Sequence, residues 1–430
     1  MENRRRPRAE HVVVISVDGL KPEYYLEDRW PTPAMRQVLM RGAHAEVVRS
    51  IFPSLTYPAH TTMATGALPV RHGIWSNRAV EPLDDPPWLR DARLIRVPAL
   101  WDAVHAAGGT TASLNWPLTD GAAIDWNVPD VWPGSEARVV AAMREASAPA
   151  GLMEELEREA TGSLHVDNFS SKLLAHDIRL ASMAAYLYER YRPTLLLVHV
   201  EGVVQIQQEP DWRNPRRVRA IACADVVVSL LLELVERTQA WDHTTIIVTG
   251  DHGMTEVHTQ VRPNVWLVDA GLRPQTLNGR DDWRATFHAL GGCAFLRVRA
   301  PVEGNVAAVR AVLDRLQRGV RQTFRVVESD ELAALGSDPD APFALAAAPG
   351  FVLDSRAEAP DRLPNPGMSH GHHPENRDMN TGLVAAGAGI RAGAAAPVLE
   401  LTSLAPLVAA LLELDFDPPD GLIPPGLLED

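Results

Sequence analysis

Short, almost wholly apolar runs alternate along the chain with longer stretches whose apolar residues recur every three or four positions. The first run, His11–Val17, is nearly all β-branched, the pattern of a strand buried on both faces. Six further runs read as strands: Ala43–Val48, Thr111–Asn115, Thr194–Val200, Thr244–Val248, Cys293–Val298 and Leu383–Ala386. Helical stretches lie between them. Thr32-Pro33 has the form of an N-cap followed by an N1 proline and predicts a helix ending at Gly42. Thr56 opens another that stops at Gly66, and Ala99–Ala107, Ser170–Tyr191, Pro215–Trp241 and Leu404–Leu414 follow. The Pro215–Trp241 helix is expected to bury Val218, Ile221, Val226, Leu230 and Leu234. This alternation predicts an α/β protein with helices on both faces of a sheet. Residues 262–345 are less regular, with one strand and a helix near Asn305–Gly319, and read as an insertion. The core then comprises residues 10–261 and 346–415. Residues 416–430 hold four prolines and read as a surface tail.

Composition narrows the function. The 430 residues carry 55 acidic and 41 basic side chains, a formal charge of −14, which argues against binding nucleic acid by phosphate neutralisation. A small-molecule substrate is expected instead, and the sequence leaves the oligomeric state open. Cys223 and Cys293 each sit in an apolar run and are expected to be buried and unpaired. The basic segment Met1–Glu10 leads into an apolar stretch too short for a signal-peptide core. No run approaches 18 apolar residues, so no membrane span is expected, and the expected location is the cytoplasm.

Four polar segments stand out because ligands of open α/β sheets bind where strands end. Asp18 follows the first strand, and Asp251-His252-Gly253 follows Thr244–Val248. Thr56 begins its helix, and His370 lies in Gly367-Met-Ser-His370-Gly-His-His373, before Leu383–Ala386. Each has an ordinary reading as a turn or a cap. Together they suit a divalent metal, since Asp and His ligate zinc or manganese. A Thr hydroxyl at a helix N-terminus suits phosphoryl chemistry, because free N–H groups there favour an anion. Among the neighbouring residues, His60 reads as a packing histidine and His72 as structural.

These segments resemble the type I phosphodiesterase/nucleotide pyrophosphatase family of the alkaline phosphatase superfamily. The resemblance rests on Val14-Ile-Ser-Val-Asp18-Gly-Leu, Phe52-Pro-Ser-Leu-Thr56-Tyr-Pro-Ala-His60 and Met63-Ala-Thr-Gly-Ala-Leu-Pro-Val-Arg-His72-Gly-Ile-Trp-Ser-Asn77. It continues through Trp101, Asn115-Trp-Pro117, Ile247-Val-Thr-Gly-Asp251-His-Gly-Met254 and Met368-Ser-His370-Gly. It implies an alkaline-phosphatase-like sandwich with a mostly parallel central sheet and a smaller inserted cap region. It also implies a metal-dependent hydrolase of a phosphoester, pyrophosphate or phosphonate. By position, Asp18, Thr56, Asp251 and His252 match one metal site, Thr56 the nucleophile, Asn77 a phosphoryl-oxygen ligand, and His370 a ligand of a second metal. Zinc is the expected ion, with manganese as the alternative.

One departure stands out. The family's Asp and His ligands of the second metal fall at Val204 and Gln208 in His199-Val-Glu-Gly-Val-Val204-Gln-Ile-Gln-Gln208-Glu-Pro. Valine cannot ligate a metal, and glutamine is a weak neutral donor. Losing that ion would remove roughly 10² to 10⁴ in rate. Glu201, Glu209, His372 and His373 are the candidate substitute ligands. Without one of them a single tight metal site is expected. The alternatives to hydrolysis are a one-metal family member with a non-hydrolytic role in specialised metabolism, or a non-catalytic binding protein. The intact nucleophile side favours a working enzyme.

Overall fold

The computed structural model describes residues 7–80, 85–170, 174–209, 215–278 and 282–429. Met1–Arg6 of the basic N-terminal segment and the start of the expected Ser170–Tyr191 helix therefore lie outside the described residues, and that helix is described as Leu174–Tyr191.

The central sheet runs, edge to edge, Ala395–Ala396, Ala43–Arg49, Thr381–Gly387, Thr244–Thr249, His11–Val17, Leu195–Val200, Thr111–Leu114 and Trp126–Val128, with Leu399–Glu400 also pairing with Ala43–Arg49. All pairings are parallel except those of Thr381–Gly387. The central strands alternate between two cores, as a period of two demands. Val13, Ile15 and Val17 join Leu196, Val198, Ile246 and Val248 on one face. Val12 and Val14 join Leu195, Leu197 and Ile247 on the other, with Ala59 and Met63 of the Thr56–Thr65 helix.

That alternation positions the chemistry. Counted onward, Asp18, His199 and Asp251 fall on the face that carries the Thr56 helix. Register brings them to one edge, because Ser16 lies opposite both His199 and Thr249.

Beside this core, Phe324–Glu328, Phe343–Ala347, Cys293–Val298 and Ala285–Ala289 form a four-stranded antiparallel sheet in that order, with the Val302–Arg315 helix packed against it. A smaller sheet joins Gly350–Leu353, Thr255–Val261 and Arg362–Ser369. The region expected to be less regular therefore holds, among the described residues, the four antiparallel strands and four helices, Pro263–Asp269, Val302–Arg315, Arg318–Arg321 and Ser329–Ala334. Its expected boundary at 345 falls inside the Phe343–Ala347 strand.

Several local expectations are corrected. The 215–241 helix spans Pro215–Arg237 and buries Ile221, Ala224, Val227, Val228, Leu231 and Leu234, leaving Val218 and Val226 exposed. Cys223, on the same helix, is only half-buried, whereas Cys293 is fully buried. The C-terminal segment is docked rather than loose: Leu427 is buried, and its carbonyl accepts from the Arg391 N–H at 2.9 Å. No described helix is long and apolar enough to cross a membrane.

Thr32 holds the N-cap position of the Pro33–Arg41 helix, with Pro33 following and Gly42 at the C-cap as expected, but its hydroxyl makes no cap bond and donates to the Tyr24 carbonyl instead. The cap comes from far along the chain. Asp225, buried on the Pro215–Arg237 helix, accepts from the N–H groups of Ala34 at 2.9 Å and Met35 at 2.8 Å. Asp225→Ala leaves two buried donors unsatisfied and is expected to cost about 2 kcal/mol, read as a lower urea midpoint with unchanged slope.

Candidate active site

Two turns following parallel strands and one helix start build the site. Asp18 leaves the first strand, and its backbone N–H stays in the ladder, donating to the Val200 carbonyl at 2.9 Å. Asp251 is oriented by two backbone donors to its Oδ1, Gly19 N–H at 3.2 Å and His252 N–H at 2.8 Å. That leaves Oδ2 directed into the cluster. The His252 Nδ1 lies 3.1 Å from the Gly253 carbonyl, so Nδ1 carries the proton and Nε2 presents a lone pair. Burial lowers the His252 pKa to about 3 and keeps it neutral, the form that binds metal. Glycine is required at 253, since a Cβ there would lie 2.0 Å from the Asp378 carbonyl oxygen.

These groups converge. His252 Nε2 lies 3.6 Å from Asp18 Oδ1 and 3.3 Å from Asp251 Oδ2. One ligand atom from each of the three residues falls within 4.8 Å of the others, the only such cluster among the described residues. Donors around one tetrahedral ion at about 2 Å would be roughly 3.3 Å apart. Asp18 Oδ1, Asp251 Oδ2 and His252 Nε2 are all buried without a hydrogen-bond partner. Orphaned buried polar atoms facing one another fit a divalent cation. Burial and the Asp251 charge push the Asp18 pKa well up, the strain that such a cation would relieve.

Thr56 is the first residue of the Thr56–Thr65 helix, with its Oγ1 3.4 Å from Asp18 Oδ2. Asn77 packs beside it. Its Oδ1 accepts from the Tyr57 N–H at 2.9 Å, which leaves its amide nitrogen to donate. Asp18, Thr56 and Asn77 all line a cavity of about 330 Å³.

His370 also reaches this cavity, its ring stacked on His252 with centroids 4.1 Å apart. Its Nδ1 lies 3.3 Å from the Ser54 carbonyl, and its Nε2 3.2 Å from the Gln208 amide nitrogen. With Nδ1–H donating to Ser54, the Nε2 lone pair accepts the Gln208 amide proton. Val204 lines the cavity alongside.

The structure does not gather all the candidate substitutes. Glu201 lines the cavity, but its oxygens accept from Asn115 and Gln205, both at 3.1 Å. Glu209 pairs with Arg216, His373 lies 3.1 Å from Glu331, and His372 is buried against Gly292. The last two border a separate groove with Phe324 and Arg325.

His60 and His72 are buried and hydrogen-bonded within the fold, His60 to the Thr56 carbonyl at 2.8 Å and His72 to Thr62 at 3.0 Å. His199 is a site residue that sequence reasoning passed over. Its Nδ1 lies 3.0 Å from the Asn115 carbonyl and its Nε2 3.7 Å from Asp18 Oδ2. Burial opposes its charge, but the Asp18 carboxylate beside it prevails and holds its pKa up at about 9. The signal was present: a histidine inside an apolar strand, on the same face parity as Asp18.

A doubly wound sheet with an Asp/Asp/His cluster at its strand ends, beside a threonine opening a helix, defines a protein of alkaline-phosphatase-like architecture. The chain belongs to the type I phosphodiesterase / nucleotide pyrophosphatase family, whose model matches residues 12–373. It is 22% identical over 251 residues to human ectonucleotide pyrophosphatase/phosphodiesterase family member 5, covering 58% of this chain and 46% of that protein. It is 25% identical over 280 residues to an uncharacterised pyrophosphatase/phosphodiesterase of Schizosaccharomyces pombe, covering 63% and 50%. The chain thus spans about half the length of these curated relatives. The solved structure of human ectonucleotide pyrophosphatase/phosphodiesterase 5 superposes with a TM-score of 0.68 at 18% identity, covering 96% of this chain and 97% of that one. An inactive murine counterpart in complex with AMP gives a TM-score of 0.67 at 19% identity, covering 95% and 96%.

Proposed function

We propose that this chain hydrolyses a phosphoester through Thr56, with one divalent cation held by Asp18, Asp251 and His252. The observation that carries this reading is the set of three buried, partnerless ligand atoms beside the Thr56 hydroxyl. Such an ion, when bound, supplies positive charge that favours the alkoxide of Thr56 and offsets charge developing at phosphorus. The chain's own groups do the rest. Asp18 Oδ2 is the nearest acceptor for the hydroxyl proton. The Thr56 N–H at the helix start and the Asn77 amide hold the phosphoryl oxygens while Oγ1 attacks phosphorus, opposite the departing oxygen. The departing oxygen leaves toward Gln208, whose second amide N–H is the donor on that side, and a water entering in its place then cleaves the phosphothreonine, releasing the phosphate product and restoring the Thr56 hydroxyl.

Esters with good leaving groups are therefore the favoured substrates. With p-nitrophenyl phosphodiesters, zinc- or manganese-loaded protein is expected to release p-nitrophenol, and alkyl esters are expected to react at least about 10²-fold more slowly. No release with either ion would overturn the hydrolase reading. The non-hydrolytic alternative draws on Val204 and on Gln208 occupying the His370 lone pair.

A further inference from the structure

The strand ladder stops short of the metal ligands. His11–Val17 and Thr244–Thr249 pair as far as Ser16 and Thr249, two residues before Asp18 and Asp251. Past that point the two turns are not paired with each other as strands, so the sheet does not set their spacing. A segment from late in the chain crosses both. The Gly253 N–H donates to the Met379 carbonyl at 3.0 Å, and the Gly250 N–H to the Gly382 carbonyl at 3.3 Å. On the other turn, the Leu20 carbonyl accepts from the Thr381 hydroxyl at 2.7 Å.

Asp378 lies in that segment, and its carboxylate takes one donor from each turn. Oδ1 accepts from Lys21 Nζ at 3.0 Å, just past Asp18. Oδ2 accepts from Thr255 Oγ1 at 2.9 Å, just past His252. The Asp378 backbone is itself fixed. Its N–H donates to Asn376 Oδ1 at 3.1 Å, and its carbonyl packs against Gly253 with no room for a Cβ. The Lys21 side chain is 14% exposed and that of Asp378 49%, and an ion pair this open adds little to overall stability. Its effect is geometric. Metal donors have to keep their places to within about 0.5 Å, and here Asp18 comes from one turn while Asp251 and His252 come from the other. Asp378 does not line the cavity, so it acts on the cluster only through these turns.

We propose that Asp378 is a positioning residue for the metal cluster: through Lys21 and Thr255, its carboxylate clamps the Asp18 turn to the Asp251-His252 turn. The proposal rests on the reading of that cluster as a metal site, and its test needs no turnover. Zinc affinity is measured by competition with a chromophoric chelator. The visible spectrum of the cobalt(II)-loaded protein reports donor geometry alongside it. Asp378→Ala is expected to bind zinc roughly tenfold more weakly, with an altered cobalt spectrum and a urea midpoint close to the parent's. Asp378→Asn keeps one acceptor oxygen and should fall between. Thr255→Val removes one arm of the clamp without a change of charge, Lys21→Met removes the other, and both should weaken zinc binding. If Asp378 only offset the lysine charge, Lys21→Met would tighten zinc and Thr255→Val would leave it unchanged; either result overturns the clamp. Asp225→Ala is the control for stability. It should lower the urea midpoint while keeping the parent's zinc affinity and cobalt spectrum. An equal loss of zinc affinity there would reduce the Asp378→Ala effect to general destabilisation and overturn the proposal. Equal zinc binding by the parent and Asp378→Ala would overturn it too, with the metal reading left standing. No zinc binding by the parent would sink that reading and the clamp with it.

Discussion

Thr56→Ala is expected to lower p-nitrophenyl phosphodiester turnover by at least about 10³-fold while leaving the fold intact. The size follows from the proposed role: without Oγ1 no covalent intermediate forms, and only positioning and charge remain. The intact fold follows from the surroundings. The Thr56 hydroxyl makes one long contact, 3.4 Å to Asp18, and it does not cap its helix, where Leu55 holds the N-cap position. Its loss should cost about 1 kcal/mol or less, a shift of a few degrees in Tm. Near-native turnover in Thr56→Ala would remove Thr56 as nucleophile. The non-hydrolytic alternative predicts a different order of damage. There Asp251→Asn, which weakens the metal cluster, should abolish the activity while Thr56→Ala leaves most of it.

The legible parts of this molecule were those where one chemical rule dominates. Strands buried on both faces write uninterrupted apolar runs, and His11–Val17 and Thr244–Thr249 occur almost where those runs stand. Asp18, Thr56 and Asp251 could be read because each interrupts such a run or opens a helix. The antiparallel sheet was harder. Its strands are five or six residues long, and Phe324–Glu328 carries polar residues on its open side, so its alternation looks like loop. The Asp225 cap was invisible, because its partners stand some 190 positions away and nothing local distinguishes it from a surface acid on a helix. The helix face was misjudged for a related reason. Val218 and Val226 are apolar, but burial on Pro215–Arg237 follows Ile221, Ala224, Val228 and Val235, and small alanines allow the close packing there. Glu209, His372 and His373 were nominated by nearness in sequence, which says little once the chain turns. His199 was overlooked because it sat inside a strand rather than after one.

Metal stoichiometry carries the second large expected effect. Protein purified without chelator is expected to hold one tightly bound divalent ion, measured by elemental analysis, and Asp251→Asn to lose it. Three clustered ligands, Asp18, Asp251 and His252, suffice for one tight site, as in zinc sites with three protein ligands and an open position. A second site would have His370 as its imidazole, and that lone pair already accepts a proton from Gln208. Val204 offers no donor, and Glu201 is held by Asn115 and Gln205. Removing the bound ion with a chelator should cut turnover by roughly 10³-fold or more, reversibly on adding zinc back, if its charge activates Thr56. Restoring an acid and an imidazole together, Val204→Asp with Gln208→His, breaks the amide contact to His370 and supplies two donors. The double variant should bind close to two ions and hydrolyse alkyl esters faster than the parent, because a cation would then stand where the leaving oxygen departs. Two tightly bound ions in the unaltered protein would mean that Gln208 yields His370 to a metal and that Glu201 turns from its carboxamides to join it. The leaving-group preference would then lose its physical basis.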